Sequence, residues 1–324
     1  MKPTERVIGV PRFQRGSGLG NRLFPWARCR VWCLEHQGQP ISPIWFRPAI
    51  GQALRRLPQL SRQSGAIDLF NPTLLGCFQA TAGDLASWQG LWHGLARRRI
   101  SETQLSADHP PSGRHLVLFD QPTYSFERLN PHWRQLHQDL EAITRPRHRR
   151  RVNALPPRLI GLHVRCGDGF LPPPATADNF GWVGWLQQTP ISWFVETLQQ
   201  LRALLGSPVP VLLVSDGSVA QLQPLLALPQ VHLLRPTNAI VDLLALARCR
   251  LILGSGSSSF SAWAAFLGQT HALTAPGHPF TRWGLEPQCG QLVAAHNPRD
   301  PRCSLPAPLL RDLAGRFPSA ERPG

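Results

Sequence analysis

The sequence predicts an α/β protein of two domains, the second organised around a parallel sheet. Three observations carry that prediction. From residue 158 onward short apolar runs alternate with amphipathic stretches of helical spacing, the signature of repeated β-α units with a sheet covered on both faces. A basic run at residues 145–151, followed by Leu155-Pro156-Pro157, interrupts the pattern and marks a domain boundary. Near the N-terminus an apolar run, a glycine-rich turn and a helical stretch occur in the same order. A chain of 324 residues is long enough for two domains. The expected division is 1–150, 151–305 and a C-terminal helix or tail at 306–324.

Residues 5–10 read as a buried strand. GSGLGNRLF (16–24) comes next, with apolar residues at 23, 24, 27, 31 and 34 at helical spacing. Pro25 fits a first helical turn, where its missing N–H is harmless, which starts the helix at 22–24 and leaves Asn21 in the loop. The loop is neither of two familiar phosphate loops. G-x-G-x-x-G fails because Asn21 stands at the third glycine, and no Gly-Lys-Ser/Thr comes after it. Short helices are expected near 49–57 and 84–98, a strand at 115–119 and an amphipathic helix at 131–143. In the second half the expected strands are 159–164, 209–214, 231–234 and 251–253. The expected helices are 191–205, 218–228, 239–248 and 259–267.

Composition narrows the class. The hydrophobic fraction of 42% is globular, and the net charge of +15 rests on arginine because Lys2 is the only lysine. Arginine suits phosphate, so phosphorylated ligands, nucleic acid and anionic membrane surfaces are all compatible partners. An arginine-for-lysine bias across the whole chain accounts for the bulk of the charge equally well. The seven cysteines form no C-x-x-C pair, so free thiols in a reducing compartment are expected rather than a zinc ribbon. No apolar run approaches ~20 residues, so no membrane span is expected. The N-terminus lacks a signal-peptide core.

In doubly wound sheets ligands bind at the carboxyl ends of the strands. Here those ends carry His163-Val164-Arg165-Cys166-Gly167-Asp168, then Ser215-Asp216, then Gly254-Ser255-Gly256-Ser257-Ser258-Ser259. The serine run opens a helix, where free N–H groups and the dipole favour an anion. As residues alone the run also serves as an N-cap. Arg165 can clamp a diphosphate bidentately with Asp168 orienting it, and a structural Arg–Asp pair fits the same letters. Asp242, in the apolar stretch IVDLLALA, is either a base-reading carboxylate or the solvent face of its helix. No D-x-D lies near a strand end, so no metal-diphosphate site is expected.

GSGLGNRLFPWA resembles the GGLGNQLFQYA opening of the α-1,2-fucosyltransferase family. GLHVRCGDGF resembles that family's HVRRGDY motif. DLLALARCRLILGSGSSSFSAWAAFL is similar to its D-x-x-L-x-x-C…SNSSFSWWAAWL block. The three occur in the family's order, over roughly 6–35 and 158–280. The resemblance implies a GT-B-like fold, two Rossmann-like domains with parallel sheets facing across a cleft. It also implies an inverting, metal-independent transfer of fucose from GDP-fucose to a glycan hydroxyl, with no further cofactor.

Carried over residue by residue, it implies Arg165 on the β-phosphate, with Asp168 as the other catalytic residue and His163 in support. Asp216 joins the donor set, Asp242 reads guanine, and Ser257, Ser258 and Ser259 hold phosphate. Gly20 and Asn21 reach the donor from the other domain. The sequence departs from the pattern at four places. Cys166 replaces the second arginine, Gly169-Phe170 replace the tyrosine, the asparagine of SNSSF is missing from Gly256-Ser257-Ser258-Ser259, and Ala262 replaces a tryptophan. These departures bear on the sugar and the linkage more than on the nucleotide.

Asp120, Glu127 and Asp178 stand near strand or loop ends as candidates for the base that an inverting attack requires. A basic nucleic-acid-binding protein is the rival class, but the basic run carries no aromatic and no nucleic-acid motif appears, so no nucleic-acid partner is expected. The implied setting is cytoplasmic, with room for peripheral contact at the inner membrane face.

Overall fold

Apolar alternation in the central strand of the second half sets the layout. The computed structural model describes residues 7–14, 17–41, 45, 78, 98–105, 115–156, 160–167, 170–172, 180, 187–234, 238–277 and 280–316. The chain divides into two compact units. One is Met1–Arg150 with Asn238–Val241, and the other is Arg151–Thr237 with Asp242–Gly324. Both are α/β, and each has a sheet whose strands all pair in parallel. No helix among the described residues is long and apolar enough to cross a membrane.

The first unit holds β1 (Ile8–Pro11), α1 (Leu19–Glu35), β2 (Gln39–Pro40), β3 (Arg98–Ser101), β4 (His115–Phe119) and α2 (Trp133–Ile143), with sheet order β2-β1-β4-β3, and α3 (Pro146–Asn153) runs across the division at Arg150. Here α1 lies directly over β1. A Cβ at Gly9 would come within 2.6 Å of Cys33 Sγ and 2.8 Å of Cys29 Sγ. Both thiols are free and buried, and burial pushes the Cys29 thiol well above its ordinary range.

Two sequence expectations are corrected in this unit. First, α1 begins at Leu19 rather than at 22–24, so Asn21 belongs to its first turn and Pro25 lies inside the helix. Proline there removes the hydrogen bond to the Asn21 carbonyl, a penalty of ~3 kcal/mol. Burial of Leu19, Leu23, Phe24, Trp26 and Ala27 offsets it. Arg22 Nε also ties the entering loop down by donating to the Ser17 carbonyl at 2.8 Å. Second, the basic run that interrupts the pattern at the expected domain boundary is itself helical. Pro146 opens α3 at a position where proline is favoured. Arg248 Nη1 covers the Val152 carbonyl at the helix end at 2.9 Å. The expected helix at 49–57 and all but the last residue of the one at 84–98 lie outside the described residues, and that last residue, Arg98, begins β3.

The second unit holds β5 (Ile160–Val164), α4 (Ile191–Leu205), β6 (Val211–Ser215), α5 (Val219–Leu226), β7 (Val231–Leu233), β8 (Leu251–Gly254), α7 (Ser259–Gly268), β9 (His271–Thr274), β10 (Val293–Ala295) and α8 (Ala307–Arg316). Helix α6 (Ala239–Ala247) leads into β8. The sheet order is β10-β9-β8-β5-β6-β7, which puts β5 in the interior. Ile160, Leu162 and Val164 pack with Trp193, Phe194 and Leu198 of α4, Leu222 of α5 and Leu309 of α8. Gly161 and His163 point to the opposite face. A Cβ at Gly161 would meet Cys249 Sγ and Leu246 Cδ2 at 2.9 Å, so the α6 end lies close on the sheet. All five β5 residues are therefore buried, as a doubly covered parallel strand requires.

The ends of α6 and α7 abut. A Cβ at Gly268 would sit 1.9 Å from the Ala247 carbonyl oxygen, a main-chain atom that no rotamer change can move. Gly268→Ala is expected to destabilise the protein by about 1–3 kcal/mol or more through this overpacking. Urea unfolding followed by tryptophan fluorescence measures it. A midpoint unchanged from the parent would contradict the close approach of the two helices.

Candidate functional site

The carboxyl edge of the second sheet is built around the end of β5. Beyond Val164 the ladder stops, and serines from both neighbouring strands take over its hydrogen bonds. Ser215 at the end of β6 donates its hydroxyl to the Val164 carbonyl at 2.6 Å and accepts the Gly217 N–H at 2.9 Å. Ser255, just past β8, donates to the His163 carbonyl at 3.0 Å and accepts the Arg165 N–H at 2.9 Å. The chain leaving β5 is thereby held at each side before any ligand arrives.

Asp216 fixes the next two residues. Its Oδ1 accepts the Cys166 N–H at 2.7 Å, and its Oδ2 pairs with Arg165 Nη1. The approach is close because residue 167 is glycine. A Cβ there would lie 2.3 Å from Asp216 Oδ2. Gly217 does the same for Cys166, whose Sγ would be 2.9 Å from an added Cβ. The Arg165 guanidinium also lies over the Phe170 ring, 5.3 Å from its centroid. Among the described residues Asp216 is its polar partner, and the rest of the planar fork stays available to an oxyanion. The pair is partly exposed, with Arg165 at 37% and Asp216 at 31%. Its value lies in orientation more than in stability.

The serine run caps α7. Ser258 is the N-cap and Ser259 the first helical residue. Ser257 adopts φ 56, in the left-handed region that non-glycine residues avoid. Its Oγ is buried with no hydrogen-bond partner among the described residues. A strained residue with an unsatisfied hydroxyl before a helix N-terminus suits an anionic ligand. Thr189 Oγ1 accepts the Gly256 N–H at 3.0 Å and anchors the turn from behind.

His163 links the two halves of the site. Its Nδ1 lies 2.6 Å from Ser261 Oγ in α7, and its ring stacks on Phe260 at 4.9 Å. Burial, then the neighbouring Arg165 charge, lower its pKa to about 4, and Asp216 opposes this only weakly. The imidazole is therefore neutral at physiological pH.

The structure thus brings together His163, Arg165, Asp216 and the run Ser257, Ser258 and Ser259. Asp242 stands in the first turn of α6, half-buried and engaged in its own interaction. Its acidic position near a helix N-terminus is favourable in itself. Gly20 is buried in the first turn of α1, and Asn21 is half-buried beside it and already engaged, so its side chain is not the freed loop group that the sequence suggested. Asp168 and Asp178 lie outside the described residues. Of the other base candidates, Asp120 accepts from Gln121 Nε2 at 3.3 Å and Glu127 is exposed.

Several positioning residues had no sequence signal. Gln188 Nε2 donates to the carbonyls of Cys166 at 2.9 Å and Phe170 at 3.3 Å, fastening the loop after β5. Thr189 and Ser261 are equally silent in sequence. Ser255 stands within the quoted serine–glycine run, and only its place beside β5 gives it a role. Among the described residues no group of three or more His, Cys, Asp or Glu side chains is arranged to hold a metal ion.

No protein-family model matches the chain and no curated protein matches it. Among solved structures it is similar to POFUT1 in complex with GDP, at 12% identity and TM-score 0.46 over 85% of this chain and 98% of that one. It is similar to an Arabidopsis thaliana FUT1 variant in complex with GDP, at 12% identity and TM-score 0.47 over 86% and 75%. It is also similar to the NodZ alpha-1,6-fucosyltransferase soaked with GDP-fucose, at 16% identity and TM-score 0.39 over 81% and 92%.

The neutral His163 makes stability depend on pH. Its pKa is lowered from 6.5 in the unfolded chain to about 4, so the unfolded chain binds more protons between those values. Stability is full above pH 6.5, falls as pH drops through this window, and levels off below about 4. The full span corresponds to about 3 kcal/mol. Urea unfolding at pH 7.5, 6, 5 and 4 should show this slope beyond that of His163→Gln. Identical slopes in the two proteins would contradict a buried neutral imidazole.

Proposed function

We propose that this chain is a glycosyltransferase of the fucosyltransferase kind, moving fucose from GDP-fucose to a glycan hydroxyl. The observation that carries the reading is the joint placement of Arg165, oriented by Asp216, and the strained Ser257 turn before α7. Both are anion-ready groups at the carboxyl edge of the sheet, where doubly wound folds bind ligands. The resemblance of HVRCGD and of the serine block to the fucosyltransferase motifs supplies the nucleotide sugar.

When the bond to the anomeric carbon breaks, negative charge builds on the β-phosphate. In this proposal the N–H groups of Arg165 that Asp216 does not engage, the N-terminal amides of α7 and the Ser257 hydroxyl meet that charge. Asp216 and Ser255 hold the guanidinium and its backbone in place, so little reorganisation is needed as charge develops. His163 stays neutral and adds no competing charge. Asp242 is assigned to guanine and Asp168 to support of Arg165 on the motif alone. Inversion at the anomeric carbon, charge stabilisation by arginine rather than a metal, and the α-1,2 linkage complete the reading. Cys166 favours a second version of it. With one arginine where the motif has two, the same site suits another GDP-sugar or another linkage. Peripheral contact with an anionic membrane face would follow from the net charge of +15.

Calorimetry with GDP, UDP and single-stranded RNA tests the reading. GDP should bind, UDP should bind more weakly, and Arg165→Ala should abolish GDP binding. Turnover of GDP-fucose in that variant should drop by about 10²–10³. RNA binding that survives Arg165→Ala, with no heat from GDP, would overturn the proposal in favour of a nucleic-acid-binding protein.

A further inference from the structure

A second cluster of reactive side chains lies apart from the carboxyl-edge site. His296 comes directly after β10 and is 1% exposed. Its backbone is pinned on both sides, with its N–H donating to the Thr274 carbonyl at 2.9 Å and its carbonyl accepting Trp193 Nε1 at 2.8 Å. Its Nε2 lies 2.7 Å from Gln200 Oε1. An amide oxygen only accepts, so Nε2 carries the ring proton and Nδ1 presents its lone pair. Cys303 Sγ stands 3.8 Å from that Nδ1. The Asn297 N–H points at the same sulfur from 3.3 Å, and the Cys303 N–H is fixed to the Asp300 carbonyl at 2.9 Å.

The surrounding charges are already paired with one another. Glu196 of α4 closes on Arg299, and Asp300 accepts from Arg302 at 3.2 Å. A thiolate at Cys303 therefore meets a backbone donor and an imidazole rather than an unpaired carboxylate. Burial lowers the His296 pKa, so the ring rests neutral with its Nδ1 lone pair toward the sulfur. Gln200 and Trp193 reach it from one face of α4, so the base is held by a rigid element.

We propose that Cys303 is a modification site, a thiol that His296 deprotonates and Gln200 positions, reactive toward small hydroperoxides. The thiol proton passes to His296 Nδ1, and the sulfur electron pair attacks one peroxide oxygen. The S–O bond forms as the O–O bond breaks. The departing oxyanion takes the proton from the imidazolium and leaves as water or an alcohol. Sulfur is oxidised by two electrons to the sulfenic acid, and the peroxide is reduced. Cys303 is half-buried, which admits a small oxidant and excludes a bulky one. The exposed Cys289 has no polar partner among the described residues and serves as an internal control. Cys29, Cys33 and Cys249 are buried and report unfolding.

The full-length protein is treated with hydrogen peroxide at pH 7, sulfenic acid is trapped with a cyclic 1,3-diketone, and each cysteine is read by peptide mass spectrometry. Cys303 should react about tenfold faster than Cys289, because His296 Nδ1 and the Asn297 N–H face its sulfur. That ratio should fall toward one in His296→Gln and in Gln200→Ala. Labelling of Cys29, Cys33 or Cys249 identifies an unfolded variant, in which case the other variant decides. Equal rates at Cys303 and Cys289 in the parent, or a ratio unchanged in both variants, would overturn the proposal.

Discussion

The Asp216 carboxylate is the constraint on which the edge of the second sheet depends. One oxygen holds the Cys166 main chain and the other holds the Arg165 guanidinium. A single side chain therefore sets both the path of the loop after β5 and the direction of its cation. The two glycines are consequences of that choice. Gly167 lets the carboxylate come close, and Gly217 leaves room for the Cys166 sulfur. An exposed ion pair contributes little to stability. Its effect is to remove rotamer freedom from a long side chain that must otherwise be ordered by its ligand, at roughly 0.5–1.5 kcal/mol per side chain.

A parallel sheet leaves the same kind of unfinished edge at every strand end, and this chain finishes it with hydroxyls. Ser215 and Ser255 bracket β5 from either side, and Thr189 holds the turn after β8. Among the described residues two hydroxyls near this edge are left over, Thr274 at the end of β9 and Ser257, and of these Ser257 stands at positive φ before α7. The strain and the missing partner thus coincide at one residue, and a ligand that accepts or donates there recovers the loss. His163, against Ser261 and Phe260 of α7, is kept neutral by the same burial that packs the sheet, so positive charge at the edge comes from arginine and the helix end.

Much of this was legible in the sequence, for reasons that are local. Buried parallel strands read as continuous apolar runs, which is why the expected β5, β6 and β8 lie within a residue or two of the observed ones. The motif HVRCGD announced Arg165 because a strand end is a local event. The start of α1 was not legible, because the position of Pro25 invoked a rule about isolated helices and burial of the surrounding apolar side chains overrode it. The basic run at 145–151 read as a break in the pattern, yet α3 forms there with a cap supplied from Arg248, far along the chain. Gln188, Thr189 and Ser261 gave no signal for the same reason. Their meaning lies in a partner that only folding brings near.

The two half-buried thiols of the second unit show how far environment outweighs residue type. Cys166 sits beside Arg165, which alone would favour a thiolate, but burial and the Asp216 carboxylate push its pKa up. The carboxylate that orients the arginine therefore also quiets the sulfur next to it, and the thiol stands as a small neutral group where the resembled motif has a second cation. Cys303 has the opposite surroundings. Its neighbours are a backbone N–H and an imidazole nitrogen, and the nearby carboxylates are bound to arginines. Reactivity at a cysteine depends on the electrostatics around the sulfur rather than on exposure alone. Between these two thiols, the negative charge that would suppress reactivity is concentrated at Asp216.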